Sequence, residues 1–131
     1  MSGHISSEDG LASVEAVLLT PVLLLMIMTI VQFGLWYHAD SVATAAAQDG
    51  ARAARAADAT ADDGRVRANA VLDAAGGSII SDRVVLADRT VAEVRVEVRG
   101  SCISLVPFVH LPVHAVAESS VERFIPGGPG G

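Results

Sequence analysis

Residues 16–37, AVLLTPVLLLMIMTIVQFGLWY, carry no formal charge. At about 1.5 Å of rise per residue the run makes a helix of roughly 33 Å, enough to cross a hydrocarbon core of about 30 Å. A helix that is apolar all round is either wrapped by a large core or sits in lipid. With three Phe, one Trp and one Tyr in the whole sequence, the rest of the chain lacks the bulk to wrap it. The run therefore predicts one transmembrane helix, with Trp36 and Tyr37 at its edge, where ring bodies meet lipid and polar tips meet water.

The remaining composition excludes several functions. A net charge of −6, with all nine cationic side chains being scattered Arg, offers no basic patch, so nucleic acid is not a partner. The single cysteine, Cys102, cannot form an intramolecular disulfide.

Residues 1–10, MSGHISSEDG, form a polar leader with nothing apolar to pack, expected to be disordered. Past the span, Ala39, Val42, Ala43, Ala46, Gly50, Ala53 and Ala57 recur at three- and four-residue steps, so the helix should continue to about residue 58 as one rod over 11–58. Asp49 and Gln48 stand at helical-neighbour spacing from Arg52. Gly50 costs about 1 kcal/mol relative to Ala in a helix interior. Its place in an Ala run suggests either a close-packed backbone or the end of the helix. Ala46, Gly50 and Ala54 are the candidate helix-packing positions.

A break at residues 60–64 offers Asp62 and Asp63 as N-caps for a second short helix. Its stripe would be Ala68, Val71, Leu72 and Ala75, stopped by Gly76 and Gly77. The period then changes to two. Ala92, Val94, Val96 and Val98 alternate with Glu93, Arg95, Glu97 and Arg99, which is a half-buried strand. Further strands are expected at residues 84–87 and 113–123, around a loop at 107–112. The fold class is α+β: a long membrane-spanning helix continuing outside, a short helix, and an antiparallel meander of about three strands. Residues 59–124 would form the small extramembrane domain, with only Phe108 and Phe124 as aromatics, and 125–131 a flexible Gly/Pro tail. So small a domain, with an Ala-rich helix, should lean on neighbours, which implies a homo- or hetero-oligomer.

No catalytic constellation is present. His110 and His114 have metal-like spacing, but Pro112 between them prevents a helix that would bring both rings to one face, and no acidic or Cys ligand stands close by. Cys102 with either His lacks a third, orienting group. No nucleophile elbow or phosphate loop occurs. The reading is a non-enzyme with no metal and no cofactor.

The informative stretch is Gly10-Leu11-Ala12-Ser13-Val14-Glu15. A cut after Gly10 would leave a cationic amine on Leu11 and a carboxylate on Glu15 one helical turn away. Buried near the membrane edge, that carboxylate would gain from pairing with the amine of a neighbouring chain, which would set the register between subunits. Equally, Glu15 could sit in the headgroup region, favoured by the helix dipole and needing no partner.

The run GLASVEAVLLTPVLLLMIMTIVQFGLWYHADSVATAAAQDGARAAR resembles the TadE-like family of pseudopilin proteins of tight-adherence pili. The small-residue entry to Val14-Glu15, Pro21 with its aliphatic run, Gln32-Phe33-Gly34, and Gly50-Ala51-Arg52 carry the likeness. The stretch VRVEVRGSCISLVPFVHLPVHAVAESSVERF also looks like actinobacterial members. The resemblance implies a minor pilin-like subunit or assembly factor of a pilus or secretion system. It also implies a cytoplasmic N-terminus, an extracytoplasmic C-terminal domain, and cleavage by a prepilin peptidase between Gly10 and Leu11. Glu15 would serve subunit registration. Partners would be the bilayer, other pilin-like subunits and the assembly platform. The leader departs from the pattern, since SSEDG is acidic where such leaders are usually basic. Arg52 and Arg55 after the span, with no Arg or Lys before it, also point against this orientation, but the positive-inside rule weakens for long translocated segments.

Two other readings share parts of this pattern. One is a bitopic scaffold of another membrane complex. The other is a binding domain released by signal peptidase at Ala43-Thr44-Ala45 or Ala45-Ala46-Ala47, although the apolar run exceeds the usual h-region of about 7–15 residues.

Overall fold

The computed structural model describes residues 2–75 and 77–121, with side chains described from Gly10 onward. The chain forms α1 (Ser2–Arg55), α2 (Ala61–Ala75), β1 (Ile80–Arg89), β2 (Glu93–Cys102) and β3 (Leu111–Ser120). The strands pair antiparallel in the order β1-β2-β3. The α+β arrangement of long helix, short helix and three-stranded meander is thus the one observed.

Several boundaries differ from the sequence expectation. The backbone is helical from Ser2 rather than disordered over residues 2–10, because once the span supplies a helical nucleus each added residue gains a hydrogen bond; Met1 lies outside the described residues. At the other end α1 stops at Arg55 rather than 58. Residues 60–64 are not all a break: α2 begins at Ala61 and includes Gly64. Its N-cap is Thr60, not Asp62 or Asp63. The Asp63 carboxylate accepts from the Thr60 amide at 2.7 Å while the Asp63 amide donates to Thr60 Oγ1 at 3.3 Å, a reciprocal capping box. β1 is longer than the expected 84–87, and β3 is shifted: Leu111 and Pro112 belong to it rather than to the preceding loop, and it ends at Ser120. Glu122 and Arg123, the tail at 125–131, and Gly76 lie outside the described residues.

One face of the sheet and both helices enclose the core. Val94, Val96 and Val98 are fully buried, as their alternation predicts, whereas Ala92 precedes β2 and is exposed. The register sets Val98 against Val85 and Ala115, and Val96 against Ala87 and Ala117, so the inner faces of all three strands align. Onto them α1 lays Ala39, Val42, Ala43, Ala46, Ala47, Ala51 and Ala54, and α2 adds Ala68 and Leu72. Ala57 and Ala75 are exposed instead, and Ala53 is half-buried. The small stripe lets helix and sheet backbones approach closely. At the crossing of the two helices, a Cβ on Gly50 would stand 2.8 Å from the Gly64 carbonyl oxygen and 3.2 Å from Val96.

Arg89 closes the far end of the domain. From the inner face of β1 its guanidinium donates to the Ala54 carbonyl at 2.9 Å and also to the carbonyl of Ala59. It thereby satisfies one acceptor that the end of α1 leaves open and one in the linker to α2, in a place where the dipole of α1 favours a cation.

Candidate membrane and assembly surface

From Gly10 to Ile27 every residue of α1 is exposed. The helix is long and apolar enough to cross a membrane, and none of its most apolar window is buried. Leu11 is 72% exposed, Leu18 67% and Ile30 69%, and exposed apolar side chains surround the helix on every side. The two threonines in this stretch are satisfied locally, as a lipid environment demands. Thr20 Oγ1 donates to the Ala16 carbonyl at 2.6 Å and Thr29 Oγ1 to that of Leu25 at 2.7 Å. Pro21 lies inside the helix, where it removes one donor.

Gln32 is different. Although it lies in the uncharged run, it is buried, 3% exposed, beneath the segment linking β2 to β3. Its Nε2 donates to the Ile103 carbonyl at 2.9 Å, and its Oε1 accepts from the Leu105 amide at 2.6 Å. One side-chain amide thus binds the loop backbone as a neighbouring strand would. Trp36 adds a second tie, its indole N–H donating to the Pro112 carbonyl at 3.0 Å, while Tyr37 is exposed. Cys102 is buried beside Gln32, and that burial pushes its thiol up from the ordinary value. It is a small core residue.

The site residues that the sequence singles out fall in separate places. Gly10, Leu11 and Glu15 lie on the exposed N-terminal part of α1, and among the described residues Glu15 has no charged partner. Ala46, Gly50 and Ala54 lie in the domain core, where α2 of the same chain covers Gly50. His114 does not meet His110 at a common ligand set; its Nε2 stands 2.9 Å from Glu97 Oε1. Among the described residues no group of three or more His, Cys, Asp or Glu converges.

Glu97 organises the outer face of the sheet. It hydrogen-bonds the Arg99 guanidinium and the His114 ring, and Arg95 stands 3.7 Å away on its other side. The Arg99 and His114 hydrogen bonds hold its carboxyl below the ordinary carboxylate value despite its burial. The strand pattern places Glu97 on the solvent face but does not reveal the cluster, and it gives no hint of Gln32 or Arg89 as anchoring residues. For Gln32 a signal exists in the sequence: a lone amide in an apolar run needs a partner.

One exposed apolar helix that carries a small helix-and-sheet domain at its C-terminal end defines a single-pass membrane protein. Residues 10–52 match the family model described as TadE-like protein, so this segment, which holds the exposed part of α1 together with most of the stripe under the sheet, is TadE-like. No curated protein and no solved structure matches the chain.

Proposed function

We propose that the chain is a non-catalytic, minor pilin-like subunit or assembly factor of a tight-adherence pilus, anchored with its N-terminus in the cytoplasm and its sheet domain outside. The observation that carries this reading is the exposure of apolar side chains all round α1 from Leu11 to Val31, in the same segment that matches the family. Such a surface is stable in lipid, and it is equally suited to packing against like helices when subunits leave the bilayer for a fibre. Glu15, the only formal charge between Leu11 and Tyr37, would pair with the freed amine of Leu11 on a neighbouring subunit. Processing between Gly10 and Leu11 by a prepilin peptidase would require local unwinding, which the low helix propensity of Gly10 makes less costly.

Release by signal peptidase fits poorly. Ala43, Ala46 and Ala47 are buried against the sheet inside a continuous helix, so a cut there would remove part of the domain's own core.

Deletion of the chain in its native host tests the proposal. Sheared surface filaments should be lost and restored by the wild-type copy. Normal filaments in the deletion strain would overturn it.

A further inference from the structure

The segment between β2 and β3, residues 103–110, has the sequence ISLVPFVH and no Asp, Glu, Lys or Arg. Phe108 is fully exposed, and Ile103 and Leu105 are 38% and 43% exposed. The Val109 amide reaches back to the Val106 carbonyl at 3.4 Å, with Pro107 and Phe108 at the two central positions of the turn. Phe108 has a φ of 66°, a left-handed conformation that glycine normally takes there. A bulky side chain in that region is costly, and strain of this kind is kept where the surroundings fix it. Here it holds an aromatic ring clear of the protein.

The position of this tip is fixed by Gln32. Its two bonds to Ile103 and Leu105 pin the segment to α1 five residues before Tyr37, about 7.5 Å back along the helix from the end of the span. With residues 16–37 crossing the hydrocarbon core, that depth lies just inside its outer end, where the loop meets acyl chains beneath the headgroups. Phe108, Ile103 and Leu105 make this loop apolar, with no Asp, Glu, Lys or Arg in it, whereas on the outer face of the sheet exposed Val84, Leu86 and Val116 are interspersed with Arg95, Glu97, Arg99 and Glu118. The apolar surface of the loop thus continues the apolar surface of the span sideways.

We infer that residues 103–110 form a second membrane contact, seated at the boundary of headgroups and acyl chains in the leaflet nearest the sheet, with the Phe108 ring inserted into lipid. The contact rests on the membrane-span reading of α1. Its chemistry is apolar and uncharged apart from His110, so zwitterionic lipid suffices. Together with Gln32 and Trp36 it fixes how the sheet domain stands on the bilayer.

The test uses the full chain with Cys102→Ala in phosphatidylcholine vesicles, carrying one nitroxide label at a time through Phe108→Cys, Leu24→Cys or Ser120→Cys. Collision of the label with oxygen is compared with its collision with a water-soluble nickel chelate. The oxygen-to-nickel ratio should be severalfold higher at 108 than at 120, approaching the value at 24. A water-like ratio at 108 with a lipid-like ratio at 24 would overturn the loop contact and leave the span standing. Water-like ratios at both would overturn the span reading itself. Shielding of 108 from both reagents would mean that protein covers the ring, which also overturns the lipid contact.

Discussion

Gly50 and Gly64 face each other where α1 crosses α2, each so close that a Cβ on either would stand within 3 Å of the other's carbonyl oxygen. The obstruction is backbone, which cannot turn aside as a side chain can. Ala has the higher helix propensity by about 1 kcal/mol, but overpacking a close contact costs about 1–3 kcal/mol. Gly50→Ala and Gly64→Ala should therefore both lower the thermal midpoint of the detergent-solubilised protein. Gly50→Leu should disrupt the domain while leaving membrane insertion intact. Gly34→Ala, with no heavy atom within 4 Å of the added Cβ, is the control and should not lower the midpoint, the helix propensity of Ala acting to raise it.

Arg89→Met should loosen the end of α1. It keeps most of the aliphatic stem but removes the charged donors from the Ala54 and Ala59 carbonyls. Hydrogen bonds from a charged group contribute about 1.5–3 kcal/mol, and a loss toward the lower end of that range is expected at this half-buried site. Chemical denaturation of the variant beside wild type measures it.

Glu97 gives the sheet an acid-sensitive point. Its carboxyl is held below the ordinary carboxylate value by hydrogen bonds from Arg99 and His114, so the folded state favours the ionised form more than the unfolded state does. The resulting stabilisation is fully present above the unfolded value and is lost as pH falls through the lower, folded value. Melting curves taken between about pH 5 and pH 3 should show a steeper fall for wild type than for Glu97→Gln. Parallel curves would remove Glu97 from the account of acid sensitivity.

Gln32→Leu should leave the helix in the membrane and free the loop. The Ile103 carbonyl and Leu105 amide lose their partner, and unmet backbone groups cost about 1–3 kcal/mol. Amide exchange at Leu105 should accelerate by about tenfold or more. Unchanged exchange would mean that the side chain does not hold the loop.

The legible parts of this molecule are those set by local pattern. The uncharged run before His38 and the valines at 94, 96 and 98 announce a span and a strand whatever surrounds them. Nothing local pairs Gly50 with Gly64, or brings Arg89 to the end of α1, because those meetings depend on the angle at which α2 returns and on the strand register. Thr60 shows a subtler gap: Asp62 and Asp63 are good caps by residue type, but the reciprocal geometry needs a hydroxyl three positions before a carboxylate, which Thr60 and Asp63 supply. Gln32 is visible as an oddity, yet its partner lies some seventy residues away in sequence.

Whether the exposed length of α1 is an assembly surface is tested most directly by photocrosslinking in the native host, with a benzophenone amino acid in place of Leu19. Assembly through the span predicts adducts with pilin-like subunits, identified by mass spectrometry, that disappear when Glu15→Ala is combined with the probe. Adducts with lipid alone, the same with and without Glu15, would contradict it.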